Sequence, residues 1–159
     1  MSPEIKDRIG VALGRIASGV FVVTARHGGR ETGMLASWVQ QAGFDPPAVS
    51  VAIKRGRPIL GLIEASGAFY VNVLPAEPIA LFRHFGRGFS LEENAFAGLA
   101  TSAAPGGAAL ADRIAGLSCR LSGRVSAGDH EVLIGEVIDG DGNGSASPHV
   151  HLRRQGWSY

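Results

Sequence analysis

The sequence predicts a mainly β protein, a small antiparallel barrel decorated with short helices. Three observations carry this. About six runs rich in Val, Ile, Leu and Phe are spread along the chain, and turn chemistry built on an unusual supply of glycine, 23 in 159 residues, separates them. The helical stretches do not alternate regularly with the strands, which argues against a doubly wound parallel sheet and for a closed antiparallel one.

The first element is a helix. Ser2-Pro3-Glu4 reads as its start, with proline at the first helical position, and Ile5, Ile9, Leu13 and Ile16 recur at three- and four-residue spacing, so one amphipathic helix should run to about Gly19. The period then changes. Val20-Phe21-Val22-Val23-Thr24 is β-branched and aromatic, His27-Gly28-Gly29-Arg30 is turn chemistry, and Thr32 to Gln41 returns as a second strand, which together read as a β-hairpin. Asp45-Pro46-Pro47 admits neither helix nor ladder, and Ala48 to Ile53 resumes as a third, mostly apolar strand. Pro58 to Glu64 predicts a short helix, Ala68 to Leu74 a buried strand, and Pro78 to Phe85 a second short helix with proline again in its first turn. Residues 86 to 113, rich in Gly, Ala and Phe, read as a long excursion with little regular structure. Gly116 to Ala127 and Glu131 to Asp139 are two strands joined by Gly128-Asp129-His130. Residues 139 to 148 form a loop, and Val150 to Arg153 is a last strand before Gly156-Trp157-Ser158-Tyr159.

A chain of this length is expected to be one domain, residues 1–159, burying roughly 68 to 70% of its unfolded surface without help from disulfides or a metal. It is 45% hydrophobic and 18% charged, against a usual charged share of about 25%. That combination excludes collagen, coiled coil and disorder, and the charge deficit suggests that a partner or ligand covers part of the surface. Fifteen basic and fourteen acidic residues leave +1, with no electrostatic footprint for nucleic acid or an anionic membrane. Thirteen of the fifteen bases are Arg, whose planar fork suits carboxylates and phosphates. One cysteine, Cys119, cannot form an intrachain disulfide, and the start MSPEIKDR lacks the basic-then-apolar order of a signal peptide. The charge-free run from Ile16 to Ala25 falls short of the ~20 residues that span a bilayer. The expected location is the cytoplasm.

Several tempting motifs have plainer readings. DGDGNG at 139 to 144 matches the first six positions of a calcium-binding EF-hand loop, with Asp139, Asp141 and Asn143 as ligands, but the twelfth position is Val150 rather than a bidentate Glu, and the flanks are strand-like. It reads as a polar hairpin loop. His149 and His151 alternate on a strand and share one face, and His130 could join them on a metal; no further carboxylate or thiol is spaced beside them, so an edge strand or subunit contact is the favoured reading and no metal is expected. Cys119 reads as a buried structural thiol. Gly-x-Ser-x-Gly, Walker A and Gly-x-Gly-x-x-Gly are all absent, which disfavours the usual nucleophile, triphosphate and dinucleotide folds. Backbone N–H groups, a hydroxyl and an Arg can still cradle a phosphate. GMLASWVQQAGFDPP, residues 33 to 47, is a candidate: Ala36 and Ser37 allow close approach, Ser37 adds a hydroxyl, and Met34, Leu35 and Trp38 offer apolar walls for a flat ring. By pattern alone it is equally an ordinary barrel strand with small residues at a crowded corner.

Taken together, GVFVVTA (19 to 25), GMLASWVQQAGFDPP, GAFYVNVL (67 to 74), RHFGRGF (83 to 89), FAGL (96 to 99) and GDHEVLIGEV (128 to 137) resemble the flavin-reductase-like, FMN-binding split-barrel family, from about residue 10 onward. The nearest flavour is the flavin reductase module of diflavin flavoproteins and rubredoxin-linked reductases, where Ala-Ser-Trp-Val, Arg-His-Phe and a His-x-Arg-x-x-Gly ending also occur. The resemblance implies a six-stranded antiparallel Greek-key split β-barrel that dimerises and binds FMN near the subunit interface. It implies that Met34, Leu35, Ala36, Ser37 and Trp38 line the flavin, that Lys54 and Arg57 neutralise its phosphate, and that Phe85, Arg87 and Phe89 close one side. His130 matches the position associated with docking NADH or NADPH. The chain departs from the commonest pattern at Met34 to Trp38, where many members read Thr-Ala-Ser-Ser. The expected activity is NAD(P)H:flavin oxidoreduction, with electrons passed to free flavin, a monooxygenase or another redox protein, since no rubredoxin, metallo-β-lactamase or flavodoxin module accompanies the domain here. The competing expectations are an FMN-binding electron-transfer or carrier protein without NAD(P)H activity, and a barrel that has drifted to another ligand such as haem.

Overall fold

The structure, a computed structural model, describes residues 1–158; Tyr159, the end of the expected domain, lies outside the described residues. Helix α1 (Pro3–Gly14) starts as its sequence predicts: Pro3 occupies the first turn and the Ser2 hydroxyl accepts the Ile5 N–H at 3.4 Å. It stops five residues early, at Gly14, and its expected apolar face is turned outward, with Ile5, Ile9 and Ile16 exposed. The residues it buries are Gly10 and Gly14. The reason is its packing surface, the closing segment 153–157: a Cβ on Gly14 would stand 2.8 Å from the Arg153 carbonyl oxygen, and one on Gly10 would run into the Trp157 ring, so only glycine admits that approach.

Seven strands form one antiparallel sheet: β1 (Phe21–His27), β2 (Arg30–Ala36), β3 (Val39–Phe44), β4 (Pro47–Lys54), β5 (Ala68–Val73), β8 (Ala115–Ala127) and β9 (His130–Gly142), in the order β2-β1-β5-β8-β9-β4-β3. A second, two-stranded sheet pairs β6 (Thr101–Ala104) with β7 (Gly107–Leu110). The expected count of six strands is therefore too low. The predicted second strand, Thr32 to Gln41, breaks at Ser37-Trp38 into β2 and β3, which lie at opposite ends of the sheet order although two residues separate them. The sheet must curl for its two ends to meet at that corner, and no ladder between β2 and β3 closes it among the described residues. Register shifts at Ser118/Cys119 and Leu121/Gly123 let the long β8–β9 pair bend and serve both halves, β8 pairing with β5 and β9 with β4. The expected last strand at 150–153 is reduced to one bridge, Ser18 with His151.

Helices α2 (Ile59–Ser66) and α3 (Ile79–Gly86) follow Pro58 and Pro78 as expected. Strand β1 is buried on both faces, which is why its sequence is nearly continuous in apolar residues. Val23 and Ala25 join the main core with Val51, Ile53, Ile63, Phe69 and Leu133, and α2 lies over them; Val22 faces a second cluster with Leu81, Phe85 and Leu110. The excursion read as irregular contains the β6–β7 hairpin. Its strands are poor in β-branched residues, and side chains from elsewhere hold it: Thr24 Oγ1 donates to Ala108 O (2.8 Å) and accepts from Ala108 N (2.9 Å), while Asn72 Nδ2 donates to Val22 O and Ala108 O and Asn72 Oδ1 accepts from Leu110 N (2.8 Å). No helix among the described residues is long and apolar enough to cross a membrane.

Candidate functional site

The corner between β2 and β3 is where clefts converge. Strand β2 is an edge of the sheet, so one row of its backbone N–H and C=O groups has no ladder partner. Beyond that edge lies a cleft of about 110 Å³ walled by Met34, Leu35, Ala36 and Ser37, floored by Phe85, and rimmed by Lys54 and Arg57. Seven of the ten residues expected to hold a flavin thus share one cleft, although they come from β2, β4, the loop after β4 and α3. Ala52, Gly86 and Gly88 also line it, and reading the sequence missed them because small residues carry no chemical signal of their own.

The chemistry of this cleft is incomplete within the chain. Ser37 Oγ is buried and has no hydrogen-bond partner, and Thr32 Oγ1 is in the same condition in a small hollow that Arg57 and Phe89 share. An unsatisfied buried hydroxyl costs about 1–3 kcal/mol, so its persistence calls for an explanation. Neither Lys54 nor Arg57 pairs with a carboxylate among the described residues. Phe85, 2% exposed, is set by a ring cluster with His84 (4.8 Å), Phe89 (5.9 Å) and Phe96 (6.1 Å), and His84 Nε2 lies 2.8 Å from Ala95 O. Arg87 is not brought to the cleft. Its guanidinium is taken by Glu93 at 2.9 Å and lies 4.0 Å from the Phe89 ring centre, so an ion pair within its own loop holds it away.

A larger cleft of about 650 Å³ adjoins the first and shares Ala52 and Lys54 with it. Trp38 belongs here rather than with the flavin candidates: the chain turns after Ser37, and the Trp38 ring packs 4.8 Å from the His130 ring at a 45° tilt. His130 is 7% exposed, and its Nδ1 lies 2.7 Å from Asp129 Oδ1. That hydrogen bond is the main reason the Asp129 carboxyl is held below its ordinary range; a carboxylate can only accept, so Nδ1 carries the proton. The turn bearing both residues is tied to the loop after β4 by Arg55 N donating to Asp129 O at 3.0 Å. Beneath it, the buried Glu131 carboxylate takes Arg124 Nε (2.9 Å), Arg55 Nε (2.7 Å) and the Ser126 hydroxyl. Arg124 first and Arg55 second bring its pKa down to about 2. Glu131 went unremarked in the sequence because its partners sit on β8 and the loop after β4.

Leu13 of α1 and Arg153, Gly156 and Trp157 of the closing segment also line this cleft; Arg153 and Gly156 belong to the His-x-Arg-x-x-Gly ending, whose place against the cleft no local pattern announces. His151 lines a third hollow of about 60 Å³ with Leu35, Ala36, Ser37 and Phe82. Burial chiefly, and then the His149 and Arg153 charges, lower its pKa. The His149 and His151 rings are 6.2 Å apart, but His149 Nδ1 is 2.7 Å from Ala76 O and His130 lies in the other cleft, so the three histidines do not converge. Asp141 is ion-paired with Arg113, and no group of three His, Cys, Asp or Glu among the described residues could hold a metal ion. Burial pushes the Cys119 thiol up to about 12.

Comparison with known proteins matches residues 13–156 to the model of the flavin reductase like domain. Diflavin flavoprotein A 1 of Synechocystis sp. is 34% identical over 151 residues, covering 93% of this chain but 26% of that protein, so the chain spans about a quarter of such relatives. The nitrilotriacetate monooxygenase component B homologue of Mycobacterium thermoresistibile superposes with a TM-score of 0.82 at 26% identity, over 96% of this chain and 86% of the other. The NADH:FAD oxidoreductase SgcE6 of Streptomyces globisporus C-1027 superposes at 0.86 with 23% identity over 96% and 91%, a likeness of fold.

Proposed function

The chain belongs to the flavin-reductase-like family, and from that premise we propose that it is an NAD(P)H-dependent flavin reductase holding FMN in the cleft beside β2. The observation that carries this is the unpartnered Ser37 hydroxyl, buried where an open strand edge, Lys54 and Arg57 converge. A phosphate supplies what that set lacks: acceptors for the hydroxyl and for backbone N–H groups, and two negative charges for the two cations. Met34, Leu35 and Ala36 provide a flat apolar wall for the ring system, and Phe85 fixes its depth.

A bound flavin supplies the redox chemistry, accepting hydride from a reduced nicotinamide. The chain's own part is orientation, and stacking two rings at about 3–3.5 Å is where a large share of the rate advantage arises. His130 docks the nicotinamide side from the adjoining cleft, its ring held by Asp129 and Trp38. Lys54, on the shared wall, faces both occupants. Electrons leave to free flavin, a monooxygenase or another redox carrier. Phe44, 89% exposed, and the outward isoleucines of α1 support a homodimer that covers them. Because β1 contributes to both core clusters, residues 1–159 read as one domain, acting in the cytoplasm.

Anaerobic mixing of the FMN-loaded protein with NADH or NADPH tests the reading. Loss of the flavin's visible absorbance within seconds is expected; a spectrum that stays unchanged with both donors favours a flavin carrier instead. His130→Asn should raise the KM for the donor, and an unchanged KM removes His130 from its role.

A further inference from the structure

Arg153 is a half-buried cation without a countercharge among the described residues. No carboxylate among the described residues pairs with it, and its guanidinium reaches three carbonyls, Leu13 O at 3.4 Å and Gly156 O and Ser158 O at 3.5 Å, all at the outer limit of hydrogen-bond length. Its central carbon sits 5.1 Å from the Trp38 ring centre, which holds it at the wall of the larger cleft that His130 also lines. The position is maintained by a strap. Gly156 N donates to Gly10 O (2.7 Å), Trp157 Nε1 to Lys6 O (3.1 Å) and Gln155 Nε2 to Asp7 Oδ1 (3.2 Å), which clip the segment to α1. Lys54 also lines this cleft, and the one carboxylate among its described lining residues, Asp129, is engaged by His130. With Lys54 given to the flavin phosphate, Arg153 is the remaining cation of this cleft among its described lining residues, and beside two indole rings in a space of about 650 Å³ it suits an aromatic ligand carrying a pyrophosphate.

We propose that Arg153 binds the pyrophosphate of a dinucleotide whose nicotinamide end meets His130, so that the α1-clipped segment forms the nucleotide-recognising wall. This rests on the reductase reading for the identity of the dinucleotide, but its test needs no turnover. Binding of ADP, which carries the pyrophosphate, and of nicotinamide riboside, which carries none, is measured by calorimetry on the full chain as wild type, Arg153→Gln, Arg153→Lys and, as a control outside the cleft, Arg154→Ala. Arg153→Gln keeps donors for the three carbonyls and should weaken ADP about tenfold, the usual worth of a charge-assisted contact. Arg153→Lys should recover part of the loss, Arg154→Ala should match wild type, and nicotinamide riboside should bind all four alike. The wild-type affinity for ADP should fall with added salt and the Arg153→Gln affinity should fall less steeply. Equal ADP affinity in wild type and Arg153→Gln, no binding of ADP by wild type, or an equal loss for both ligands overturns the proposal, the last making Arg153 a structural strap. The reductase reading fails separately, by absence of flavin bleaching.

Discussion

Two pairs of buried polar side chains behave in opposite ways. Thr24 and Asn72, on β1 and β5, have their hydrogen-bonding groups satisfied, and together they dock the β6–β7 hairpin on the sheet. Thr32 and Ser37, on β2 and at its end, are buried with hydroxyls that meet nothing. The first pair replaces a missing strand ladder and belongs to the fold. The second sits against the edge strand and the cations Lys54 and Arg57, where only something outside the chain can complete it. A buried polar group whose bonds are made reports on folding, and one whose bonds are unmade, beside unpaired charge, reports on a ligand.

The largest effect should come from breaking the satisfied pair. Asn72→Ala leaves Leu110 N without its acceptor and removes two donated bonds, so it should lower stability by about 3 kcal/mol in a denaturant titration. If the loss is under about 0.5 kcal/mol, the pair is not what holds the hairpin. Ser37→Ala should do the reverse: flavin binding followed by fluorescence weakens about tenfold, while the flavin-free protein is as stable as wild type or gains up to about 1 kcal/mol. A loss of stability without a loss of affinity would move Ser37 into the first class.

Glu131 sharpens the contrast from the side of charge, being buried yet completely engaged by Arg124, Arg55 and Ser126. Its pKa of about 2 in the folded chain lies below the ordinary carboxylate value of 4.5, so its contribution to stability is complete above about pH 4.5 and is lost as pH falls towards 2. Glu131→Gln should therefore flatten the dependence of Tm on pH in that window, and an unchanged slope would assign acid sensitivity to other groups. The smallest effect is expected at Cys119, 1% exposed with its thiol pushed up to about 12: a thiol reagent at pH 8 should modify the native protein only after unfolding.

How much of this the sequence held varies by residue. Met34 to Ser37 were readable as a ligand segment because small residues, a hydroxyl and apolar walls are consecutive there, and Lys54, Arg57, Phe85 and His130 entered only through family resemblance. Trp38 was grouped with the flavin as an apolar wall beside Met34 and Leu35; the chain turns after Ser37 and packs its ring on His130. Arg87 was expected to close one side of the flavin site with Phe85 and Phe89, and a glutamate six residues later holds it. The α1 isoleucines have helical spacing that predicts a buried face, yet the helix packs through its glycines.

By itself the sequence determined what local chemistry controls: the positions of most of the β runs, the proline-led helix starts and the glycine turns. These follow from φ preferences and side-chain period, which act over a few residues. Only the tertiary structure decided which buried hydroxyls are satisfied, which cations stay unpaired and what walls the second cleft. Those depend on contacts such as Thr24 with Ala108, 84 residues apart, and Lys6 with Trp157, 151 apart, where no local preference can reach.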